Sequence, residues 1–258
     1  MSAAAAKRTV LILGAGPGTG ASLAHAFARA GHPVALASRT LPSALADEIN
    51  AAVPQQPGAT PLARAWSVDA SRSADVARFV ADAQAAWPEA RPWAGVWNPT
   101  GGFGMRKYLD WSEEHVREAF EVQVIGAHTF SQALLRIFLA AEAPADARES
   151  RGVLLYSGAT SALRGSEMFA GFAAAKAGLR MLSQAIAREH GRDGVHSAHI
   201  IIDGMIDTER VSSMAGPAKS ADQRMKPDNL AAEYLHLAYQ PRDVYTQELD
   251  LRPAPEKF

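Results

Sequence analysis

The stretch Leu13-Gly14-Ala15-Gly16-Pro17-Gly18-Thr19-Gly20 decides the fold class of this chain. It follows the apolar, β-branched run Thr9–Leu13 and precedes Ala21–Ala30, which has helical character and ends at Gly31. Glycines between a strand and a helix permit a tight turn and let a pyrophosphate approach backbone N–H groups at the positive end of the helix. In this context the stretch predicts a dinucleotide site rather than an ordinary glycine-rich turn.

Strand-length apolar runs alternate with helix-period segments along the rest of the chain. The further predicted strands are Pro33–Ala37, Leu62–Val68, Trp93–Trp97, Gly152–Tyr156, Val195–Ile202 and Thr246–Leu251. The further predicted helices are Leu41–Val53, Ser71–Trp87, Ser112–Glu142, Phe169–His190 and Asp228–Tyr239. Apolar strands that alternate with helices indicate a parallel sheet covered on both faces. We therefore expect one α/β domain over residues 1–258, a doubly wound Rossmann fold with three layers, α/β/α.

Three segments are predicted to lack regular structure, and one of them is Ala143–Arg151, which resembles a surface loop. Val53–Pro61 has the composition of a surface loop between a helix and a strand. Gly204–Lys226 is rich in Met, Gly, Pro and Ser and is the longest irregular segment. Long loops in a compact domain are commonly lids, so residues 204–226 are the expected substrate loop.

The composition excludes several function classes. The 258 residues include no cysteine, which rules out disulfides, thiolate metal sites and a cysteine nucleophile. No histidine pair has metal-ligand spacing, so no metal site is expected. A net charge of −1 argues against a nucleic-acid partner. No apolar run reaches the ~18 residues of a membrane span, and the residues before the first strand do not resemble a signal peptide, so we expect a cytoplasmic protein without a membrane partner.

The end of the second predicted strand indicates which cofactor is bound. A carboxylate at this point would bind the ribose 2′-hydroxyl of NAD and repel a 2′-phosphate. This chain has Ser38 and Arg39 there, a hydroxyl and a guanidinium that suit a 2′-phosphate. The alternative is that Arg39 is an ordinary surface arginine. The sequence therefore favours NADP over NAD.

The chain resembles the short-chain dehydrogenase/reductase family over nearly its whole length. The resemblance is carried by Gly14-x-x-x-Gly18-x-Gly20, Val68-Asp69, Asn98-Pro99-Thr100-Gly101, Lys176 and Asp203-Gly204-Met205-Ile206-Asp207-Thr208, in the family's order. The family places an aspartate near the adenine, at Asp69 here. The full set of cofactor-binding residues expected on both grounds is Gly14, Pro17, Gly18, Thr19, Gly20, Ser38, Arg39, Asp69, Ala70, Asn98, Pro99, Thr100, Lys176, Gly204, Ile206 and Thr208.

The resemblance implies hydride chemistry assisted by asparagine, serine, tyrosine and lysine. In the family the tyrosine exchanges a proton, the lysine holds the nicotinamide ribose and lowers the tyrosine pKa, and the serine binds the substrate oxygen. This chain departs at three positions, because Phe172, Ala159 and Gln123 stand where tyrosine, serine and asparagine are expected. Lys176 alone is retained. Phe172 has no hydroxyl and cannot donate a proton.

Besides Tyr108, which could reach inward from its loop or lie as an aromatic at the pocket rim, four residues are candidates for the missing chemistry. Tyr156 ends the fifth strand, although it could equally be a packed aromatic. Thr160 and Ser161 follow that strand and could face the substrate. Lys176, if desolvated, could itself act as acid or base, although it could serve only to bind ribose hydroxyls. The candidate catalytic residues are therefore Lys176, Ser161, Thr160 and Tyr156.

An apolar small molecule is the expected substrate. Aromatic and methionine residues cluster after strand ends, where open α/β sheets bind ligands, and they are Trp97, Phe103, Met105, Tyr108, Trp111, Phe169, Met205 and Met214. Ordinary loop packing is the alternative explanation. If the pocket exists, a hydrophobic carbonyl compound or alcohol suits it better than a small polar sugar.

Three functions remain open from the sequence. The first is an NADP(H)-dependent oxidoreductase that acts on a carbonyl/alcohol pair by a modified proton-transfer route. The second is a catalytically impaired NADP(H)-binding protein, a sensor or structural partner. The third, a dehydratase or epimerase on the same scaffold, has no specific support. By resemblance, a homodimer or homotetramer is expected.

Overall fold

In the computed structural model, which describes residues 7–53 and 60–256, the strands form one parallel sheet of seven in the order β3-β2-β1-β4-β5-β6-β7. The strands are β1 (Lys7–Leu13), β2 (Val34–Ser38), β3 (Ala63–Ser67), β4 (Ala90–Trp97), β5 (Gly152–Ser157), β6 (Val195–Ile202) and β7 (Glu248–Leu251). The order reverses beside β1, so the carboxyl ends of β1 and β4 flank the crevice in which open α/β sheets bind ligands.

Helices connect these strands. They are α1 (Thr19–Arg29), α2 (Ser43–Ala52), α3 (Ser73–Ala86), α4 (Glu113–Phe120), α5 (Ala127–Ala140), α6 (Ala170–His190), α7 (Glu209–Ala215) and α8 (Pro227–Ala238). Short 3₁₀ turns occur at Tyr108–Asp110 and Thr160–Ala162. None of these helices is long and apolar enough to cross a membrane, a finding that extends to the described part of the chain only.

The alternation of side chains along β1 explains the three layers. Val10 and Ile12 pack with residues of α1, α2 and α8 on one face of the sheet. Leu11 and Leu13 pack with residues of α3, α5 and α6 on the other face. Successive strand residues point to opposite faces, so a strand that is apolar throughout must be covered on both sides. The predicted single-domain, doubly wound α/β/α fold is confirmed.

The predicted helix Ser112–Glu142 is interrupted. Residues Glu121–Gly126 form a wide π-helical turn between α4 and α5. At Gly126 the helix passes so close to the sheet edge that a Cβ would lie 2.1 Å from the Ala70 carbonyl oxygen. Turns of this kind occur frequently at functional sites, and this one carries Gln123.

The segment 204–226 is more regular than its composition indicates. It contains α7 and a bridge between Ile206 and Met225. Buried Arg224 ties the two parts together, because its guanidinium donates to Ser212 Oγ at 3.1 Å and to the Gly216 carbonyl at 2.6 Å. The absence of regular structure expected here was wrong for α7. Most of the predicted loop 53–61 lies outside the described residues, as do residues 1–6 and 257–258.

Candidate functional site

The glycine turn after β1 forms a cradle that only glycine can build. Gly14 and Gly18 have φ angles of 95° and 96°, which side-chain-bearing residues rarely adopt. A Cβ on Gly14 would lie 2.6 Å from the Asn98 carbonyl carbon, and one on Gly18 would lie 2.7 Å from Thr208 Cγ2. A Cβ on Gly20 would meet the Gly14 carbonyl oxygen at 2.3 Å. The turn therefore requires glycine at positions 14, 18 and 20.

The start of α1 provides backbone N–H groups that attract an anion to the glycine turn. Gly18 occupies the N-cap position and has no side chain with which to cap the helix. The first N–H groups of a helix lack partners within it and favour an anion. Backbone N–H groups beside a glycine turn at the carboxyl end of the sheet fit the pyrophosphate of a dinucleotide. The residues present thus suit the cofactor that the motif predicts, and Pro17 and Thr19 lie within the same turn.

Substitution of Gly14 tests the cradle. We expect Gly14→Ala to lower the free energy of unfolding by about 1–3 kcal/mol, because it combines strain at positive φ with contact against the backbone of residue 98. Gly16→Ala is the matched control, since a Cβ on Gly16 meets nothing within 4 Å. Urea denaturation of both variants measures the difference. Equal stability of the two variants would contradict this account of the turn.

Asn98 joins the glycine turn to the neighbouring strands. Its Nδ2 donates to the Gly14 carbonyl at 2.9 Å, and its Oδ1 accepts from Ser157 Oγ at 2.7 Å. The Tyr234 hydroxyl lies 2.7 Å from the same Ser157 Oγ. The side chain of Asn98 is therefore engaged within the protein, and Pro99 and Thr100 follow it at the edge of the crevice. No local sequence pattern indicates that Ser157 connects Asn98 with Tyr234.

Arg39 is free to bind an anion at the end of β2. Its side chain is exposed, and among residues 7–53 and 60–256 no carboxylate lies within ion-pair distance of it. Ser38 precedes it, and the Ser38 hydroxyl donates to the Thr40 carbonyl. Ser67 Oγ donates to the Arg39 carbonyl at 2.9 Å, which holds the backbone of the turn. Ser38 and Arg39 therefore lie together at the rim, as predicted.

Asp69 has a structural partner at the start of α3. Its Oδ1 accepts from both the backbone N–H and the Oγ of Ser71, at 3.0 and 2.7 Å. These bonds, more than the nearby charges of Arg39 and Arg72, lower the pKa of Asp69. Ala70 lies next to it and is buried. The carboxylate is therefore charged and oriented at the carboxyl edge of the sheet, after β3.

Lys176 is the chemically unusual group of the site. It lies in α6, is only 3% exposed, and donates from Nζ to the Ser157 carbonyl at 2.7 Å. Burial disfavours the charged ammonium and lowers its pKa from 10.5 to about 7. The ring of Phe172, one helical turn earlier, has its centre 5.7 Å from Nζ. An amine in this setting exists in both protonation states near neutral pH.

Phe172 belongs to a cluster of three phenylalanines. The ring of Phe103 stands perpendicular to it with 5.3 Å between centres, and Phe103 also contacts Phe169 at 5.7 Å. Phe172 is 5% exposed. Apolar rings thus surround the position at which the family resemblance implies a tyrosine hydroxyl.

Tyr156 is not brought to the site. It is fully buried, and its hydroxyl lies 2.7 Å from Ser131 Oγ of α5. Burial raises the pKa of this hydroxyl above its ordinary value. The side chain points from β5 into the layer of α3, α5 and α6, because alternation along the strand places it on that face. The expectation that Tyr156 replaces the missing hydroxyl is therefore corrected.

Thr160 and Ser161 follow β5 at the carboxyl edge. The Thr160 hydroxyl donates to Asp203, whose other carboxylate oxygen lies 2.8 Å from the Arg252 guanidinium. Ser161 is half-buried, with no side-chain hydrogen bond to another described residue. The Thr160 hydroxyl is thus hydrogen-bonded to a buried carboxylate, whereas the Ser161 hydroxyl can bind a ligand. No local sequence pattern indicates the contact between Asp203 and Thr160, which are 43 residues apart.

The loop after β6 closes over the glycine turn. Thr208 Oγ1 accepts from the Val211 N–H at 3.2 Å and caps α7, while its methyl group lies against Gly18. Gly204 has a φ of 147° beside Pro253 of the C-terminal segment. Ile206 is held by the bridge to Met225. The predicted residues Gly204, Ile206 and Thr208 are therefore gathered at one edge with Gly18.

Gln123 holds the loop after β4. It is fully buried in the π-helical turn, and its Nε2 donates to the carbonyls of Pro99 and Gly101 at 3.1 and 3.4 Å. A longer amide than asparagine reaches this loop directly. Gln123 is therefore a support of the crevice wall.

The predicted apolar pocket is partly corrected. Trp97 is fully buried and packs on Phe130, 5.5 Å between ring centres, so it belongs to the core. The other members lie in segments that follow the strands, with Tyr108 in a 3₁₀ turn and Met214 in α7. Phe103, Met105, Tyr108, Met205 and Met214 are exposed. An apolar rim of this kind is typical of a site that binds a hydrophobic ligand.

Comparison with known proteins agrees with this geometry. The family model described as "short chain dehydrogenase" matches residues 8–217. A short-chain dehydrogenase structure from Rhodopseudomonas palustris is 29% identical, with a TM-score of 0.75 over 95% of this chain and 98% of that one. A short chain dehydrogenase from Burkholderia cenocepacia J2315 in complex with NADP is 22% identical, with a TM-score of 0.77 over 95% and 96%. The NADH-dependent reductase A1-R′ complexed with NAD, at 17% identity, has a TM-score of 0.77 over 96% of both chains.

Proposed function

The chain belongs to the short-chain dehydrogenase family, and on that premise we propose that it is an NADP(H)-dependent oxidoreductase of an apolar carbonyl/alcohol pair in which Lys176, rather than a tyrosine, exchanges the proton. The observation that carries this proposal is the burial of Lys176, whose pKa of about 7 suits proton transfer at neutral pH.

The glycine cradle and Arg39 would hold the cofactor. The N–H groups at the start of α1 would bind the pyrophosphate, the exposed guanidinium of Arg39 would bind the 2′-phosphate, and Asp69 would lie on the adenine side. The nicotinamide cofactor, when bound, supplies or accepts the hydride. Side chains at the carboxyl edge would transfer the proton and bind the substrate.

Lys176 would hold and move the proton at Nζ. One of its three ammonium protons is bonded to the Ser157 carbonyl, so two remain for other acceptors. In the reducing direction, the ammonium donates a proton to the substrate oxygen and becomes a neutral amine, a form that its burial stabilises. In the oxidising direction, the neutral amine accepts the proton of the alcohol. The free hydroxyl of Ser161 is suited to orient the substrate oxygen.

The rim selects an apolar substrate. The side chains of Phe103, Met105, Tyr108, Met205 and Met214 offer hydrophobic contacts. Burial of apolar area contributes about 25 cal/mol per Å². A hydrophobic ketone or aldehyde therefore fits this edge better than a polar sugar.

A second candidate function is cofactor binding without turnover. The observation that favours it is the phenylalanine cluster, since the Phe172 ring lies next to Lys176 where a tyrosine hydroxyl is expected and Phe103 packs against that ring. In that case the protein senses NADP(H) or serves as a structural partner.

Cofactor binding followed by turnover distinguishes the two functions. Calorimetry should show tighter binding of NADPH than of NADH, and a panel of hydrophobic ketones and aldehydes should give NADPH oxidation above the rate without enzyme. Tight NADPH binding with no turnover on either hydrophobic or polar panels would support the second function. Failure to bind either cofactor would overturn both.

The role of Arg39 can be tested separately. Arg39→Ala should weaken NADPH binding by about 10–100-fold and NADH binding far less, because a charge-assisted hydrogen bond contributes about 1.5–3 kcal/mol. Arg78→Ala is the control, since Arg78 is an exposed arginine of α3 that pairs with Asp75. An equal loss for both cofactors in Arg39→Ala would refute the assignment of the 2′-phosphate.

A further inference from the structure

His199 of β6 is a buried titratable group beneath the site. It is fully buried, and neither ring nitrogen has a hydrogen-bond partner within the described part of the chain. Buried polar atoms are nearly always paired, so such an exception in a native protein calls for a reason. In the sheet, His199 lies opposite Tyr156 of β5, on the face that α6 covers.

The two edges of the imidazole ring face different neighbours. On one edge, Nε2 lies 2.4 Å from where a Cβ of Gly158 would stand, so only glycine leaves room for the ring. The preceding residue, Ser157, holds Lys176 Nζ by its carbonyl. On the other edge, Nδ1 lies 3.8 Å from the Glu248 carboxylate of β7.

Glu248 is fixed in place and reaches solvent. Arg180 of α6 donates two hydrogen bonds to its carboxylate, at 2.6 and 2.8 Å, and these lower the pKa of Glu248. Its side chain is 31% exposed, whereas that of His199 is fully buried. Lys176 and Glu248 thus both act on the His199 ring, Lys176 through its charge and Glu248 at 3.8 Å from Nδ1, and Glu248 connects this group of residues to the surface at β7.

Burial, more than the charges around it, favours the neutral form of the His199 ring. Lys176 and Arg180 face it from α6, Glu248 from β7, and the hydroxyl-bearing Tyr156 from β5. Burial first, and then the positive charge of Lys176, lower the pKa of His199 to about 4, against the opposing effect of Glu248. A neutral imidazole has one protonated and one free nitrogen, which is the form that can pass a proton from one edge to the other.

We propose that His199 is a positioning residue which, together with Glu248, exchanges the proton of Lys176 with solvent. The proton enters at the β7 edge of the sheet rather than through the substrate crevice. The proposal rests on the proposed function, because it concerns the proton that Lys176 gives up. After Nζ has released its proton, the Nε2–H form of His199 passes that proton toward Nζ while Nδ1 takes up one proton from solvent beside Glu248, so each carbonyl that is reduced consumes one solvent proton. One proton enters the ring and one leaves it, and no electrons are transferred.

The coupling can be measured without cofactor or substrate. The ¹³Cε1 resonance of His199, followed by NMR against pH, should titrate at higher pH in Lys176→Met, which removes a nearby positive charge. In Glu248→Gln it should titrate at lower pH. His196 is an internal control, since it lies on the same strand but bonds to Thr246 and stacks on Tyr245. A titration of His199 that is the same in all three proteins would overturn the proposal.

Chemical rescue tests the relay itself. His199→Ala should lower kcat by about 10–100-fold with little change in KM. Added imidazole should restore kcat, whereas pyrrole, which has the same ring size but no acceptor nitrogen, should not. Equal rescue by both would mean that His199 only fills space and would overturn the relay. If His199→Ala fails to fold, His199→Phe keeps the ring volume and must show the same loss of kcat.

The two proposals fail in different ways. Absence of turnover by the unsubstituted protein overturns the proposed function, and the relay with it. Turnover combined with an unmoved His199 titration, or with rescue by pyrrole, overturns the relay alone.

Discussion

Replacement of Lys176 by methionine should lower kcat by about 10²–10⁴-fold, the range expected when an aligned proton donor is removed. Methionine keeps the length of the apolar stem and removes the amine that donates to the Ser157 carbonyl. Steady-state NADPH oxidation measures the loss. Arg78→Met is the control, because Arg78 is an exposed cation of α3 that pairs with Asp75, outside residues 204–226.

The pH dependence of turnover separates proton transfer from simple ribose binding. If Lys176 exchanges the proton, carbonyl reduction should fall as pH rises through about 7, where the ammonium is lost. Lys176→Arg keeps a positive charge that does not titrate in this range. Any activity that remains in this variant should therefore not fall as pH rises through about 7. A limb near pH 7 that persists in Lys176→Arg would assign the proton to another group.

The same substitution should change stability in a pH-dependent way. The unfolded chain holds the Lys176 proton up to about pH 10.5, whereas the folded protein releases it near 7. The unfolded state therefore binds more protons between these values, and the contribution of Lys176 to stability rises with pH across the interval by about 1.4 kcal/mol per pH unit. Below about pH 7 both states are protonated, so the full cost of burying the charge remains.

Urea denaturation of the cofactor-free protein at several pH values measures this effect. Lys176→Met should gain most in stability, relative to the unsubstituted protein, at pH 6 and least at pH 9.5. Other titrating groups cancel in the difference between the two proteins. A difference that does not vary with pH would mean that Lys176 is not the group whose pKa burial lowers.

Phe172→Tyr should raise turnover by about 10–100-fold. It adds a hydroxyl to a ring whose centre lies 5.7 Å from Lys176 Nζ, and a nearby ammonium favours the phenolate form of such a hydroxyl. A tyrosine next to this lysine is the pair that the family resemblance implies. The measurement is the initial rate of NADPH oxidation with the best substrate of the panel.

Phe169→Tyr is the control for this gain. Phe169 belongs to the same aromatic cluster through Phe103, so it reports on the effect of a hydroxyl in the cluster but outside the Lys176 contact. A gain in Phe169→Tyr equal to that in Phe172→Tyr would show that polarity of the rim, rather than proton transfer, limits the rate. No gain in either would mean that the missing hydroxyl is not the limiting defect.

The fold could be predicted from the sequence because the patterns that determine it each lie within a few consecutive residues. Continuous apolar strands require cover on both faces, and a glycine turn between strand and helix requires positive φ whatever surrounds it. The irregular segment was predicted less well. Its helix, Glu209–Ala215, is short, and buried Arg224 supports it through contacts that no periodicity reveals.

The sequence by itself determined which groups this protein has: a glycine cradle, an arginine at the end of β2, a lysine in α6, and a phenylalanine without a hydroxyl one turn before it. Only the tertiary structure decided which of them can react. Tyr156 points into the helical layer, Thr160 is engaged by Asp203, and burial lowers the pKa of Lys176. Burial and hydrogen bonding join residues far apart in the chain, so a side chain's chemistry depends on neighbours that its own segment does not contain.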